Sequence, residues 1–494
     1  MLFQHENREA TSIVQDPGPS AGSCHSVAEN SNIEPHDTSA YLRRTNNGSP
    51  SYRSEDHIGY HSGGNSISGY QGMTTHTGED LARIGVEATA GTGRTTPRKV
   101  RLRSLDVFRG VTIFFMIFVN YGGGQYYFFV HSPWNGLTVA DLLFPWFMWI
   151  MGVSMVFSLK SQIQKRIPRS TIVLRIVKRS IILFILGLFV NGISNRNIPT
   201  LRIPGVLQRF SACYLLTASM EALIMIVNDD EIQTVGSCGS WYIFRDVVSS
   251  WFQWIVVIGL IALHTVVTYV LPVPGCPRGY IGPGGLHDDG LYANCTGGAA
   301  AYIDRFFFTP NHIYPFSTAT KIYQNTTPHD PEGILGTLTS ILIVQFGVAA
   351  GRVLITFDGH WDRILRLLTW AFVTGFIAGV LCDFSKEYGA VPLNKNLWSL
   401  SFVLTTASFG FIFFALIYLL VDWSGCWNGN PARYAGLNSI LLYVGHELTG
   451  SVFPFSWTPA GNTHGAYLLM NLWGTSLWGI IAYICHRKKL YVSI

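Results

Sequence analysis

The stretch that decides the reading of this chain is Asn120–Asp141, NYGGGQYYFFVHSPWNGLTVAD. It lies between two strongly apolar runs, Val111–Val119 and Leu142–Leu159, each part of a candidate membrane span. In hydrocarbon every backbone polar group needs an internal partner, so glycine-rich irregular chain is tolerated only where it lines a cavity or meets water. Ionisable and amide side chains at such a place are candidates for function. Asn120, His131, Asn135 and Asp141 all fall within this one hairpin. The chemistry is expected there.

Working outward, apolar runs of roughly 18 to 23 residues recur along the chain, the length needed to cross about 30 Å of hydrocarbon. About ten can be drawn: 106–123, 138–159, 173–193, 205–227, 251–271, 334–355, 367–384, 398–421, 436–452 and 466–486. The composition agrees, since only 13% of the 494 residues are charged and 48% are hydrophobic, against about 25% charged in soluble domains. The expected fold is therefore an all-α polytopic membrane protein. The net charge of +5 is scattered over inter-span loops, which speaks against nucleic acid as a partner. No nucleotide-binding glycine turn and no zinc-type Cys/His spacing occurs in the sequence, so no metal is expected.

Residues 1–98 are rich in Ser, Gly, Thr, Asn and His and contain no apolar run. Such a segment cannot bury enough surface to offset ordering entropy, and a disordered polar arm is expected, followed by a membrane domain over 99–494. Short loops rich in Lys and Arg favour the cytosolic side. One set of loops holds Arg98–Arg109, Lys160–Arg179, Arg352–Arg366, Arg433 and Arg487–Lys489; the alternate set is poorer, since 124–137 and 453–465 hold no Lys or Arg, 194–204 holds Arg196 and Arg202, and 385–397 holds Lys386 and Lys395. With ten spans both termini fall on the cytosolic side. The long loop 272–333 then faces a lumen. It carries the sequons at Asn294 and Asn325, expected to be glycosylated, and Cys276 and Cys295, expected to pair. A third sequon at Asn47 lies in the arm and is expected to be unused.

Several motifs occur in order: LDVFRG (Leu105–Gly110), NYGGG (Asn120–Gly124), His131 with WNGLTVAD (Trp134–Asp141), FPWF (Phe144–Phe147), RIPGVLQR (Arg202–Arg209), NCTGGAA (Asn294–Ala300), DPEGILGT (Asp330–Thr337), NKNLWSLS (Asn394–Ser401) and YVGHE (Tyr443–Glu447). Together they resemble the heparan-α-glucosaminide N-acetyltransferase family of polytopic lysosomal membrane enzymes, over essentially everything from Arg101 onward. The resemblance implies transfer of acetyl from cytosolic acetyl-CoA to the terminal glucosamine amine of heparan sulfate in the lumen. It also implies that His131 is the active-site histidine. Members of the family begin with a lumenal domain and a further span, and residues 1–98 resemble neither. Two other readings stay open: a transporter, or an acyltransferase acting on another amino sugar. Membrane lipid is the remaining expected partner, and homo-oligomer formation is left open.

Acetylating an amine requires a neutral nitrogen, a thioester at attack distance and stabilisation of the developing oxyanion. His131 could accept the amine proton or carry the acetyl itself. Asp141 could orient the imidazole, or simply sit at a helix N-terminus where the dipole favours it. Asn120 and Asn135 could bind the acetyl carbonyl or sugar hydroxyls, or satisfy irregular backbone. Arg179 and Arg209 are candidates for CoA phosphates, although Arg179 could equally be a snorkelling anchor. Arg202, with Arg209, could meet sulfated sugar. Glu332 could cap a span or bind sugar, and Asn396, His446 and Glu447 are placed as cavity lining, with a buried structural pair as the alternative for the last two. Trp134, Trp146 and Trp149 are expected at the membrane interface.

Overall fold

The computed structural model describes residues 102–194, 197–225, 245–315, 319–459 and 461–492. The expected polar arm, with Asn47, lies outside the described residues. Among the described residues the chain is helical, with a single isolated bridge between Asn135 and Asn394 and no strand. The long elements are α1 (Arg103–Asn120), α2 (Val139–Gln164), α3 (Arg169–Ser194), α4 (Val206–Ile224), α5 (Trp251–Val270), α6 (Gly298–Phe308), α7 (Ile334–Thr356), α8 (His360–Leu381), α9 (Leu400–Tyr418), α10 (Ala432–Leu437), α11 (Ser439–Thr449) and α12 (His464–Arg487). α9 runs on into a π turn over Leu419–Trp423.

Six of these are long and apolar enough to cross a membrane: α2, α5, α7, α8, α9 with its π turn, and α12. The sequence expectation of ten is not reached. α1, α3 and α4 are continuous helices that fall short of that standard. The expected ninth span, 436–452, is broken into α10 and α11 at Asn438. The side chain of Asn438 accounts for the break, because it donates to Leu490 O at 2.9 Å and accepts from Val492 N at 3.0 Å. An amide committed to another segment holds its own backbone out of the helical conformation, here at φ −127°.

α7 is the centre of the bundle, with 89% of its most apolar window buried, whereas α5 and α12 have 17% and 28% buried. The peripheral helices expose Ile255, Ile258, Phe372 and Phe376, as lipid contact requires. α7 meets α2 at glycines: a Cβ on Gly152 would stand 2.2 Å from Val344 O, and one on Gly347 2.0 Å from Trp149 O. Small residues let helix backbones touch where no hydrophobic drive exists between helices in lipid. Trp149 is buried beneath this contact and Trp134 is 2% exposed. The expectation of an interfacial belt is thus corrected for both, because helix and loop packing reach them first.

The chain alternates direction, so the C-terminal end of α1, the N-terminal ends of α2, α4, α7 and α9, and the loop 272–333 share one end of the bundle. That loop contains the Cys276–Cys295 disulfide. At the other end a buried polar chain ties three helices together. Gln345 donates to Gln253, Gln253 to Glu221 Oε2 at 2.6 Å, and Arg352 to the same oxygen at 2.7 Å. Each of these side chains makes at least one hydrogen bond to a neighbouring helix, as the medium favours.

Candidate functional site

The hairpin after α1 starts with three glycines in the left-handed region, φ 114°, 56° and 68° at Gly122, Gly123 and Gly124. Only glycine enters this region without steric cost. What they approach is protein: a Cβ on Gly123 would lie 2.5 Å from Phe129 Cβ, and one on Gly124 3.1 Å from Leu468 of α12. The glycines fold the hairpin against α12, and His464 at the start of that helix donates to Gly124 O at 3.1 Å.

The second half of the hairpin is clamped to the loop before α9. Gly136 N donates to Leu393 O at 2.8 Å, Asn394 Nδ2 to Asn135 Oδ1 at 3.0 Å, and Asn396 Nδ2 to Pro133 O at 3.2 Å. Trp134 Nε1 donates to Ile281 O at 2.9 Å, which adds the disulfide-bearing loop to the assembly. Asn135 and Asn396, expected to meet substrate, therefore hold two loops together. Beside them a cleft of about 420 Å³ is lined by Trp134, Asn135, Tyr280, His287, Tyr323 and Glu387.

His131 stands at the rim of this clamp. Its Nδ1 lies 2.8 Å from Asp141 Oδ1, and its side chain is 38% exposed. Nε2 has no hydrogen-bond partner among the described residues. Asp141 is fully buried, and its second oxygen accepts from Ser132 N, Thr138 N and the Thr138 hydroxyl at 3.0–3.2 Å. Asp141 makes contacts of both kinds: one oxygen closes the N-terminus of α2 and the other meets the imidazole. Sequence reasoning missed Lys395, whose Nζ lies 2.8 Å from His131 Nδ1 and 3.3 Å from Asp141 Oδ1. Its signal was its place between Asn394 and Asn396 in NKNLWSLS; it read there as a loop charge. Partial burial and the Lys395 ammonium lower the His131 pKa below its ordinary value of 6.5, against the opposing pull of Asp141 and Glu332.

A second cluster gathers Asn120, His446 and Glu447. His446 is 1% exposed; its Nδ1 donates to Leu442 O at 3.0 Å, leaving Nε2 to accept from Asn120 Nδ2 at 2.9 Å. Asn120 Nδ2 also donates to Glu447 Oε1 at 3.2 Å. Between the clusters lies Glu332, whose charge acts on both His131 and Tyr443. Arg202 donates to both Asp330 oxygens, at 2.6 and 2.8 Å, and to Glu332. One cation held by two carboxylates offers little to a sulfate. Glu332 does not cap α7 either, since the Ile334 N–H is taken by Asp304 Oδ1 at 2.9 Å.

The two arginines placed at CoA phosphates part company. Arg209 is 2% exposed at the disulfide-bearing end, where Nη2 donates to Pro331 O and Gly333 O and the guanidinium stacks on Trp398 at 4.6 Å. This corrects the expectation for Arg209: it braces the turn before α7. Arg179 lies over the Tyr214 ring at 4.8 Å; its buried Nε, like Nε and Nη1 of Arg209, has no partner among the described residues. Of the two sequons in the long loop, Asn294 is exposed. Asn325 is 5% exposed, which leaves no room for a glycan in this arrangement, and its Nδ2 donates to Pro283 O at 3.2 Å. The expectation of a glycan at Asn325 is corrected on that ground. No group of three or more His, Cys, Asp or Glu suited to a metal ion occurs among the described residues.

Residues 101–228 match the model of the family described as "Heparan-alpha-glucosaminide N-acetyltransferase, catalytic". The chain is 43% identical over 409 residues to heparan-alpha-glucosaminide N-acetyltransferase of Homo sapiens, covering 82% of this chain and 61% of that protein. It is 43% identical over 400 residues to the Mus musculus protein of the same name, 80% and 60% of the two chains. The chain thus spans about three fifths of the length of the curated relatives it matches, and the aligned stretch extends well beyond the motifs.

Proposed function

We propose that this chain, whose helical body is similar to the heparan-α-glucosaminide N-acetyltransferases, transfers acetyl from acetyl-CoA to the terminal glucosamine amine of heparan sulfate. The observation that carries the reading is His131: Nδ1 is anchored by a buried carboxylate while Nε2 has no protein partner. That is the arrangement of a general base. The amine lone pair forms the new N–C bond, the C–S bond breaks with its electrons leaving on the CoA thiolate, and the amine proton passes to Nε2. Direct transfer is favoured over an acetyl-imidazole, because a reactive acyl group beside a 38% exposed ring would meet water.

In the proposed arrangement the protein lies in the lysosomal membrane with both termini cytosolic and the disulfide-bearing end in the lumen. The cleft bordered by Trp134, Tyr280 and Tyr323 then lies on the side of the polysaccharide, next to the His131 hairpin. Arg179, in the N-terminal half of α3 and so away from the disulfide-bearing end, is proposed to meet a CoA phosphate from the opposite side.

The test is acetyl transfer by protein purified in detergent, with acetyl-CoA and soluble glucosamine. An enzyme forms N-acetylglucosamine without any membrane gradient. No product from well-folded wild-type protein, with either glucosamine or a heparan-derived acceptor, overturns the proposal and returns the transporter reading. Intersecting initial-rate lines are expected. Ping-pong kinetics, with labelled acetyl recovered on His131 and discharged as fast as turnover, would replace direct transfer by the covalent route.

A further inference from the structure

We propose that Lys395 is a positioning residue for His131, which shares the Nδ1 edge of the ring with Asp141 and forbids a lasting imidazolium. The inference rests on the reading of His131 as the base of an acetyl transfer.

Nδ1, Asp141 Oδ1 and Lys395 Nζ form a nearly equilateral triangle, with sides of 2.8, 2.8 and 3.3 Å. A ring nitrogen has one in-plane direction for a hydrogen bond and holds at most one hydrogen. Two arrangements satisfy the triangle. In the first, Nδ1–H donates to Asp141 while Lys395 donates to the same carboxylate, so Nε2 is bare. In the second, Lys395 donates to Nδ1, so the ring hydrogen sits on Nε2. The ring is neutral in both. A doubly protonated ring keeps the Nδ1–H of the first arrangement and adds a positive charge beside the ammonium, whose Nζ is 2.8 Å from Nδ1, so the single Asp141 carboxylate must serve two cations.

The position of Lys395 is built in. Its neighbours Asn394 and Asn396 are 1% and 6% exposed and bound to the hairpin, while Lys395 itself is 13% exposed. The charges facing His131 are Lys395 from the loop before α9, Asp141 from α2 and Glu332 from the turn before α7. Lys395 is the cation among them.

Two consequences follow for the reaction. The ring stays neutral in acidic surroundings that would protonate an ordinary histidine. The proton taken from the amine at Nε2 does not rest there, because the imidazolium is repelled, and it moves on to the leaving thiolate to give the CoA thiol.

The test compares full-length wild type, Lys395→Met and Lys395→Arg in detergent by two readouts. One is the acid limb of kcat/KM. The other is the rate at which diethyl pyrocarbonate modifies His131 as a function of pH, read by peptide mass spectrometry, since that reagent attacks the neutral ring. Lys395→Met is expected to move both midpoints upward by about one pH unit, and Lys395→Arg to keep them near wild type. An unmoved midpoint in folded Lys395→Met overturns the proposal, and so does an arginine variant that shifts as far as methionine. The labelling needs no turnover. A wild type without transfer activity therefore sinks the functional reading, while the labelling midpoints still decide the role of Lys395.

Discussion

His131 and His446 are two histidines at the same end of one helical bundle, each with a carboxylate beside it, and they differ in what their nitrogens do. His446 is 1% exposed, with Nδ1 on Leu442 O and Nε2 on Asn120. His131 is 38% exposed, with Nδ1 held and Nε2 open. A histidine with both nitrogens engaged by protein is a strut; one anchored on a single side can exchange a proton with a substrate. Three other pairs of like residues also differ in their surroundings: Arg179 and Arg209, Asp304 and Asp330, Asn294 and Asn325.

The largest effect separates the histidines. His131→Ala is expected to lower transfer by about 10²–10⁴-fold while acetyl-CoA still binds, as titration calorimetry can read. His446→Gln is expected to act on stability, by about 0.5–1.5 kcal/mol for one hydrogen bond, with transfer per folded molecule changed far less. Equal losses in both variants would break the contrast.

The arginines come next. Arg179→Ala is expected to weaken acetyl-CoA binding about tenfold or more, the worth of a charged hydrogen bond of about 1.5–3 kcal/mol. Arg209→Ala, which frees the Pro331 and Gly333 carbonyls, is expected to lower the unfolding temperature. An unchanged acetyl-CoA dissociation constant in folded Arg179→Ala makes that residue a membrane-interface anchor.

The buried aspartates predict a pH effect on stability. Burial raises the Asp304 carboxyl to about 7. Burial also acts on Asp330, but there the Arg202 charge prevails and the carboxyl lies below its ordinary value. A group raised in the folded state stabilises it below the unfolded value and loses that contribution as pH rises through the folded one. The unfolding temperature should therefore fall between pH 5 and pH 8 through Asp304, and Asp304→Asn should flatten that slope. Asp330 acts in the opposite sense, losing its contribution as pH falls through its lowered folded value. A slope unchanged in Asp304→Asn would remove the assignment.

The smallest effect is a gel shift. Asn294→Gln should remove one endoglycosidase-sensitive glycan and Asn325→Gln none, because Asn294 is exposed and Asn325 is buried. A glycan on Asn325 would show that this part of the loop adopts another arrangement.

Hydropathy and motif order sufficed for the all-helical membrane architecture and singled out the hairpin between its first two long helices, because apolar length and glycine content are properties of contiguous sequence. His131 and Asp141, ten residues apart, were legible for the same reason. The break of α10 from α11 was not, since it depends on Asn438 reaching Leu490 and Val492, some fifty residues away. Nor could sequence tell Arg179 from Arg209, or Asn294 from Asn325, because residue type names the hydrogen bonds a side chain can make and only packing says which are already made. Lys395 is the clearest case. It lies 264 residues from His131, and its ammonium reaches the imidazole only because Asn394 and Asn396 clamp two distant loops together. Short-range pattern determined which groups this protein has; the tertiary structure decided which of them are left free to act.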